Sequence, residues 1–162
     1  MRSRRAIHMI MILAAVAVTG GSSLAAPKPE EEAQKATEKW LSLVDSGKYE
    51  EAWKASSTYS QAAIKLELMQ RSLTEVRKPL GDVVSRKLKS VEFAKSFPDL
   101  PDGEHVILHF ITSFKNKSNI VEMVVSTKEK SGAWKNSGYF IKPGEAEQPA
   151  DGKTPEAPQP PP

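Results

Sequence analysis

At 162 residues, this chain has room for one ordinary domain core, and its lack of cysteine rules out disulfides, thiolate metal sites, a cysteine nucleophile and a lipidated N-terminal cysteine. The formal net charge of +3 resides in residues 1–25, which hold Arg2, Arg4 and Arg5 and no acid; the rest carries 20 basic and 20 acidic residues and is neutral. A neutral domain has no excess of basic residues to build a nucleic-acid-binding face, so no nucleic-acid partner is expected.

Residues 1–25 read as a secretory signal peptide. A basic start is followed by an apolar run over 9–18 and then by small residues, and Ser23 and Ala25 satisfy the small-x-small rule for cleavage after Ala25. The apolar run is about half the ~20 residues that a bilayer-spanning helix needs, so no membrane anchor is expected to remain. The expected location is periplasmic or extracellular.

Pro27-Lys28-Pro29 followed by Glu30, Glu31 and Glu32 is a helix start, because proline fits the first turn and acids there complement the helix dipole. Ala33, Ala36, Trp40, Leu43 and Val44 then form one apolar stripe, which Ser46-Gly47 ends. A short second helix over 48–57 carries Tyr49, Ala52 and Trp53. A third over 60–78 is expected to turn Ile64, Leu68, Leu73 and Val76 inward and to stop at Pro79.

Residues 83–97 read as a strand and 98–103 as a turn. Three runs dense in Val, Ile, Phe and Thr, at 106–114, 120–127 and 133–141, are separated by short polar breaks and predict an antiparallel meander. On the first of these runs Val106, Leu108, Phe110, Thr112 and Phe114 share one face, and His105, Ile107, His109 and Ile111 the other. A turn at Lys117-Ser118 would put Glu122 opposite Ser113, on the face away from the phenylalanines, and a one-residue slip would reverse this. The fold class is therefore α+β, with N-terminal helices packed on a curved antiparallel β-meander, as one domain over 26–142. Residues 143–162 hold seven of the twelve prolines and read as a disordered tail.

The chemistry-bearing residues are few. His105 and His109 share a strand face but lie about 13 Å apart at ~3.3 Å per residue, too far to share one ion, so no metal site is expected. No nucleophile elbow, phosphate loop or dinucleotide fingerprint occurs, and no cofactor is expected. Glu122 stands out as an acid within a Val/Ile/Met strand, which needs solvent, a polar pocket or a basic partner; Arg77 and Arg86 are the candidates for that partner. Trp40, Trp53 and Trp134 read as core residues, with ligand stacking as the alternative.

Five blocks in order, AQKATEKWLSLVDSGKYEEAWKASS, VRKPLGDVVSRKL, LPDGEHVILHFITSF, IVEMVVS and GAWKNSGYFI, resemble exported bacterial domains grouped as a family of unknown function. The most specific pieces are Arg77-Lys78-Pro79-Leu80-Gly81 with Arg86, and Trp134 with Gly138-Tyr139. The order of elements is also similar to the ketosteroid-isomerase-like, or nuclear-transport-factor-like (NTF2-like), cone, which implies a curved sheet wrapped round a long helix and a pocket between them; it implies no activity. Arg77, Arg86, Glu122, Trp134 and Tyr139 are thus the candidate pocket positions.

The first functional reading is non-enzymatic binding of a small apolar ligand or a protein partner. The alternatives are a pocket enzyme of isomerase or dehydratase type, using Glu122 with Tyr139 or a histidine, and a homodimer formed through an outer-face strip of Ile107, Ile111, Ile120 and Val124.

Overall fold

A computed structural model of the protein describes residues 27–144; the expected signal peptide and nearly all of the expected tail lie outside them. Four helices precede four strands among the described residues: α1 (Pro29–Asp45), α2 (Tyr49–Ala55), α3 (Thr58–Ala63), α4 (Leu66–Arg77), β1 (Val83–Ala94), β2 (His105–Phe114), β3 (Ile120–Lys128) and β4 (Trp134–Pro143). The strands form one antiparallel sheet in the order β1-β2-β3-β4, so the protein is α+β with a meander.

Helix α1 begins at Pro29 with three glutamates in its first turn. It ends where Gly47 takes φ +70°, the left-handed conformation that glycine adopts without steric cost. The amides of Gly47 and Lys48 then donate to the carbonyls of Val44 and Leu43, which satisfies the orphan acceptors of the last turn. The buried side of α1 is Ala33, Thr37, Trp40, Leu41 and Val44, and it lies on the sheet. Thr37 is polar but fully buried, and its hydroxyl pairs with that of Ser126 on β3 at 2.8 Å.

The single third helix expected over 60–78 is two helices. The backbone is extended at Ile64 and Lys65, and the Trp53 indole N–H donates to the Ile64 carbonyl at 2.8 Å, holding the corner open. The break also changes which side faces inward. Leu73 and Arg77 are buried, whereas Ile64, Leu68 and Val76, expected inside, are 41–45 % exposed. Two apolar stripes compete on this segment, and the buried one is the stripe that carries Arg77.

The β2–β3 register also differs from the expectation. Phe110 pairs with Glu122 and Thr112 with Ile120, so Glu122 is on the inner face with the phenylalanines. The link from β2 to β3 is longer than a two-residue hairpin: Phe114 and Lys117 close a turn, and Asn119 at φ 53° then redirects the chain into β3. The expected dimer strip changes accordingly. Ile120 and Val124 point inward, and the outer face instead carries Val121, Met123 and Val125 beside Ile107 and Ile111.

The core is built between α1 and the inner face, from Trp40, Leu41 and Val44 against Val106, Leu108, Phe110 and Val124, with Ala52 and Leu73 closing one side and Trp134 one end.

Candidate functional site

Three inner-face positions line up across adjacent strands: Arg86 on β1 pairs with Thr112 on β2, and Glu122 on β3 lies diagonally beyond it. Tyr139 on β4 adds a hydroxyl, and two helix ends come down on the row, the last turn of α1 with Asp45 and the last turn of α4 with Arg77. The result is a cluster of two guanidiniums and two carboxylates whose formal charges cancel.

Glu122 is at its centre and is 0 % exposed. Its Oε1 accepts from Arg77 Nη1 and Arg86 Nη2, both at 3.2 Å, and from the Tyr139 hydroxyl; its Oε2 accepts from Arg86 Nε at 2.6 Å and from the Thr112 hydroxyl. Five donors on two oxygens exceed the roughly four lone-pair directions a carboxylate offers. Asp45 accepts from Arg77 Nη2 and Arg86 Nη1, each at 2.6 Å, and from Arg86 Nη2 at 3.0 Å. Arg77 also donates to the Tyr139 oxygen at 2.9 Å and stacks over the Phe114 ring at 4.7 Å.

The position of Asp45 opposes its own helix, because a negative charge in a last turn faces the negative end of the dipole. The guanidiniums offset that cost. Burial pushes the Asp45 carboxyl up, but Arg86 and then Arg77 outweigh it and hold the pKa below the usual 3.8. Its folded value being depressed, Asp45 contributes stability that is present above its unfolded pKa and is lost as pH falls through the folded one. For Arg86, burial opposes the charged form, and the bonds and charges of Asp45 and Glu122 more than reverse this, raising the pKa.

Tyr139 is shifted up from the usual 10.0, first by burial and then by the negative charge of Glu122, against the pull of Arg77. The folded state therefore keeps the proton that the unfolded state loses. The tyrosine's stabilising contribution is complete below pH 10 and falls above it, by about 1.4 kcal/mol per pH unit while the folded phenol stays neutral. Tyr139→Phe is expected to be less stable at pH 7 by about 1–3 kcal/mol and to show a flatter loss of stability from pH 10 to 11. Urea melts of both proteins across that range check it; parallel curves would mean that the phenol ionises as readily folded as unfolded.

Of the five candidate positions, the fold brings together Arg77, Arg86, Glu122 and Tyr139. Trp134 is elsewhere, five residues back along β4 and so about 16 Å away at ~3.3 Å per residue. Its indole N–H reaches Glu32 at 3.3 Å, Lys128 lies over its ring at 5.8 Å, and it borders a shallow groove between α1 and the β3–β4 turn. Asp45 and Thr112 were not among the candidates. An acid in a helix's last turn, where the dipole disfavours it, is the signal that could have found Asp45. Thr112 carried none, since threonine is ordinary in a strand. The two described histidines are on the outer face: His105 is fully buried between Thr127 and the Pro101 carbonyl, and His109 meets Ser90 at 3.3 Å.

A cavity of about 230 Å³ adjoins the cluster between α3, α4 and β4, with Tyr139 in its wall. Its apolar lining is Trp40, Ile64, Leu68, Met69 and Leu73. Tyr139 thus has two sides, its hydroxyl in the ion-pair cluster and its ring at the cavity, where Trp40 meets it edge-on with centroids 5.3 Å apart. Glu122 does not line the cavity. The family model described as "Protein of unknown function (DUF4019)" matches residues 36–139 of this chain, and no curated protein and no solved structure matches it.

Proposed function

The chain belongs to the family of proteins of unknown function DUF4019, and on that premise we propose that it is an exported domain with an NTF2-like cone that binds a small apolar ligand between α3, α4 and β4 without transforming it. The observation that carries this reading is the saturation of Glu122. A general base needs a lone pair within reach of a substrate proton, and both oxygens of this buried carboxylate are taken up by arginines, a threonine and a tyrosine. The cluster is a clamp that ties the ends of α1 and α4 to the sheet, and the neighbouring cavity is left as the place for a ligand. Ile64 and Leu68, exposed at its rim, are what a binding mouth would present.

Two measurements test the proposal. Protein purified from the periplasm or medium of an exporting host is expected to begin at Ala26, and Edman sequencing of an intact N-terminus at Met1 would remove the export reading. Native mass spectrometry of the same sample is expected to show a copurified small molecule that is released on unfolding and is recovered unchanged. Recovery of a chemically altered product after incubation with the released compound would restore the pocket-enzyme alternative.

A further inference from the structure

Resting on the reading of this cavity as the binding site, we infer that its ligand is an uncharged molecule that presents a hydrogen-bond donor, an alcohol or a phenol, to a wall of serine oxygens. No Asp, Glu, Lys or Arg lines the cavity. Its polar lining is Ser56, Ser60, Ser72, Asn136 and Ser137. The hydroxyl protons of three of these already point into the protein. Ser56 donates to the Ala52 carbonyl at 2.9 Å, Ser60 to the Ser137 carbonyl at 3.0 Å, and Ser137 to the Ser57 hydroxyl at 2.8 Å. One of the two Asn136 amide N–H groups is likewise given to the Gly138 carbonyl at 3.0 Å. The Ser60 and Ser137 bonds fasten the α2–α3 corner to β4, and the other two close the end of α2 and the bulge of β4, so they belong to the fold and are not freed at small cost.

What these groups keep for a further partner is mostly oxygen lone pairs, beside one Asn136 N–H; Ser56 has already given one of its lone pairs to the Trp40 indole at 3.0 Å. A hydroxyl accepts through two lone pairs as well as donating once, and an amide oxygen accepts through two. Such a wall rewards a ligand that brings its own donor. A carboxylate or phosphate would need several donors to replace its water and would find, among these side chains, only Ser72 at the exposed edge of α4 and one Asn136 N–H. An ammonium would meet lone pairs but no counter-charge, and burying an unpaired charge is costly. The apolar part of the ligand lies against Leu68, Met69 and Leu73. At ~20–30 Å³ per non-hydrogen atom, near water's share of liquid volume, the 230 Å³ admits on the order of ten such atoms.

The test is an NMR titration of the purified protein with four probes of one shape: 4-propylphenol, 4-propylbenzoate, 4-propylbenzylamine and propylbenzene. The expected result is saturable shifts at Ser60, Leu73 and Ser137 with 4-propylphenol. Binding is expected to be at least about tenfold tighter than for the carboxylate and the amine, and severalfold tighter than for the hydrocarbon. Leu68→Arg, at a rim position 45 % exposed, is expected to keep the melting temperature and to weaken phenol binding by about tenfold or more. Equal or tighter binding of the benzoate or the amine would overturn the ligand class while leaving the cavity as a binding site. Equal binding of propylbenzene would overturn the role of the serine oxygens. Failure of all four probes at millimolar concentration, or phenol binding untouched by Leu68→Arg, would overturn the cavity reading itself.

Discussion

Glu122→Gln is expected to destabilise the domain by about 3–5 kcal/mol, the cost of removing one partner from a buried ion-pair network. The amide has nearly the same shape, so packing is almost unchanged; its one oxygen can stand at the Tyr139 side or at the Thr112 side but not at both, and the charge is lost. Two guanidiniums would then face a single carboxylate, Asp45, with Arg77 only 6 % exposed at its side chain and Arg86 15 %. The new amide N–H₂ would also point at Arg donors. Asp45→Asn removes the same formal charge but is expected to cost less, since that carboxylate is 25 % exposed and water can replace part of the lost interaction. Urea denaturation of the wild type and the two variants checks the ranking. Adding Arg77→Met to Glu122→Gln is expected to recover part of the loss, because it restores neutrality, and a double-mutant cycle isolates the coupling. A loss below about 1 kcal/mol for Glu122→Gln would show that the network is relaxed and hydrated, and would reopen the pocket-enzyme alternative.

Trp40→Ala is expected to cost about 3–5 kcal/mol as well, and to abolish ligand binding in whatever folded fraction remains. Trp40 is 3 % exposed at the centre of the core. Its indole N–H is shared between the Ala52 carbonyl at 2.9 Å and the Ser56 hydroxyl at 3.0 Å, and its ring edge supports Tyr139. Truncation therefore opens a cavity, takes one donor from the Ala52 carbonyl and from the Ser56 hydroxyl, and removes a wall of the binding site together. Trp40→Phe keeps most of the volume and loses only the N–H, so it separates the two contributions. It is expected to retain most of the stability, with a loss of about 0.5–1.5 kcal/mol for the lost hydrogen bonding, since the Ala52 carbonyl still accepts from Ser56. Thermal and urea melts with tryptophan fluorescence from Trp53 and Trp134 follow both variants.

Much of the architecture is visible along the chain because it depends on neighbours in sequence. The Pro-Glu-Glu-Glu start and Ser46-Gly47 stop of α1 are local capping events. Dense β-branched and aromatic runs with short polar breaks mark β2, β3 and β4 as a meander, and the structure has them in that order. The anomaly of Glu122 is local too, since an acid among valines and isoleucines needs a partner wherever it goes. That need pointed to arginine, and Arg77 and Arg86 both bond it.

What neighbours in sequence do not decide is which of two faces an element buries. Shifting β3 by one residue would exchange Glu122, Val124 and Ser126 for Val121, Met123 and Val125, and both sets contain apolar residues, so the alternation of β3 is nearly silent about its register. The choice follows from distant groups: Thr37 on α1 meets Ser126, and Asp45 and Arg77 bring the charges that make a buried Glu122 tolerable. The same holds for α4, where either of two stripes could turn inward and the carboxylate waiting on the sheet selects the one with Arg77. Local patterning was enough for the strands, the order of helices before sheet and the α+β class, but not for the break that divides the third helix in two. The ion-pair cluster, the register and the cavity beside Tyr139 exist only once α1, α4 and the sheet are packed, because an electrostatic partner is chosen by proximity in space and carries no mark of its own in the chain.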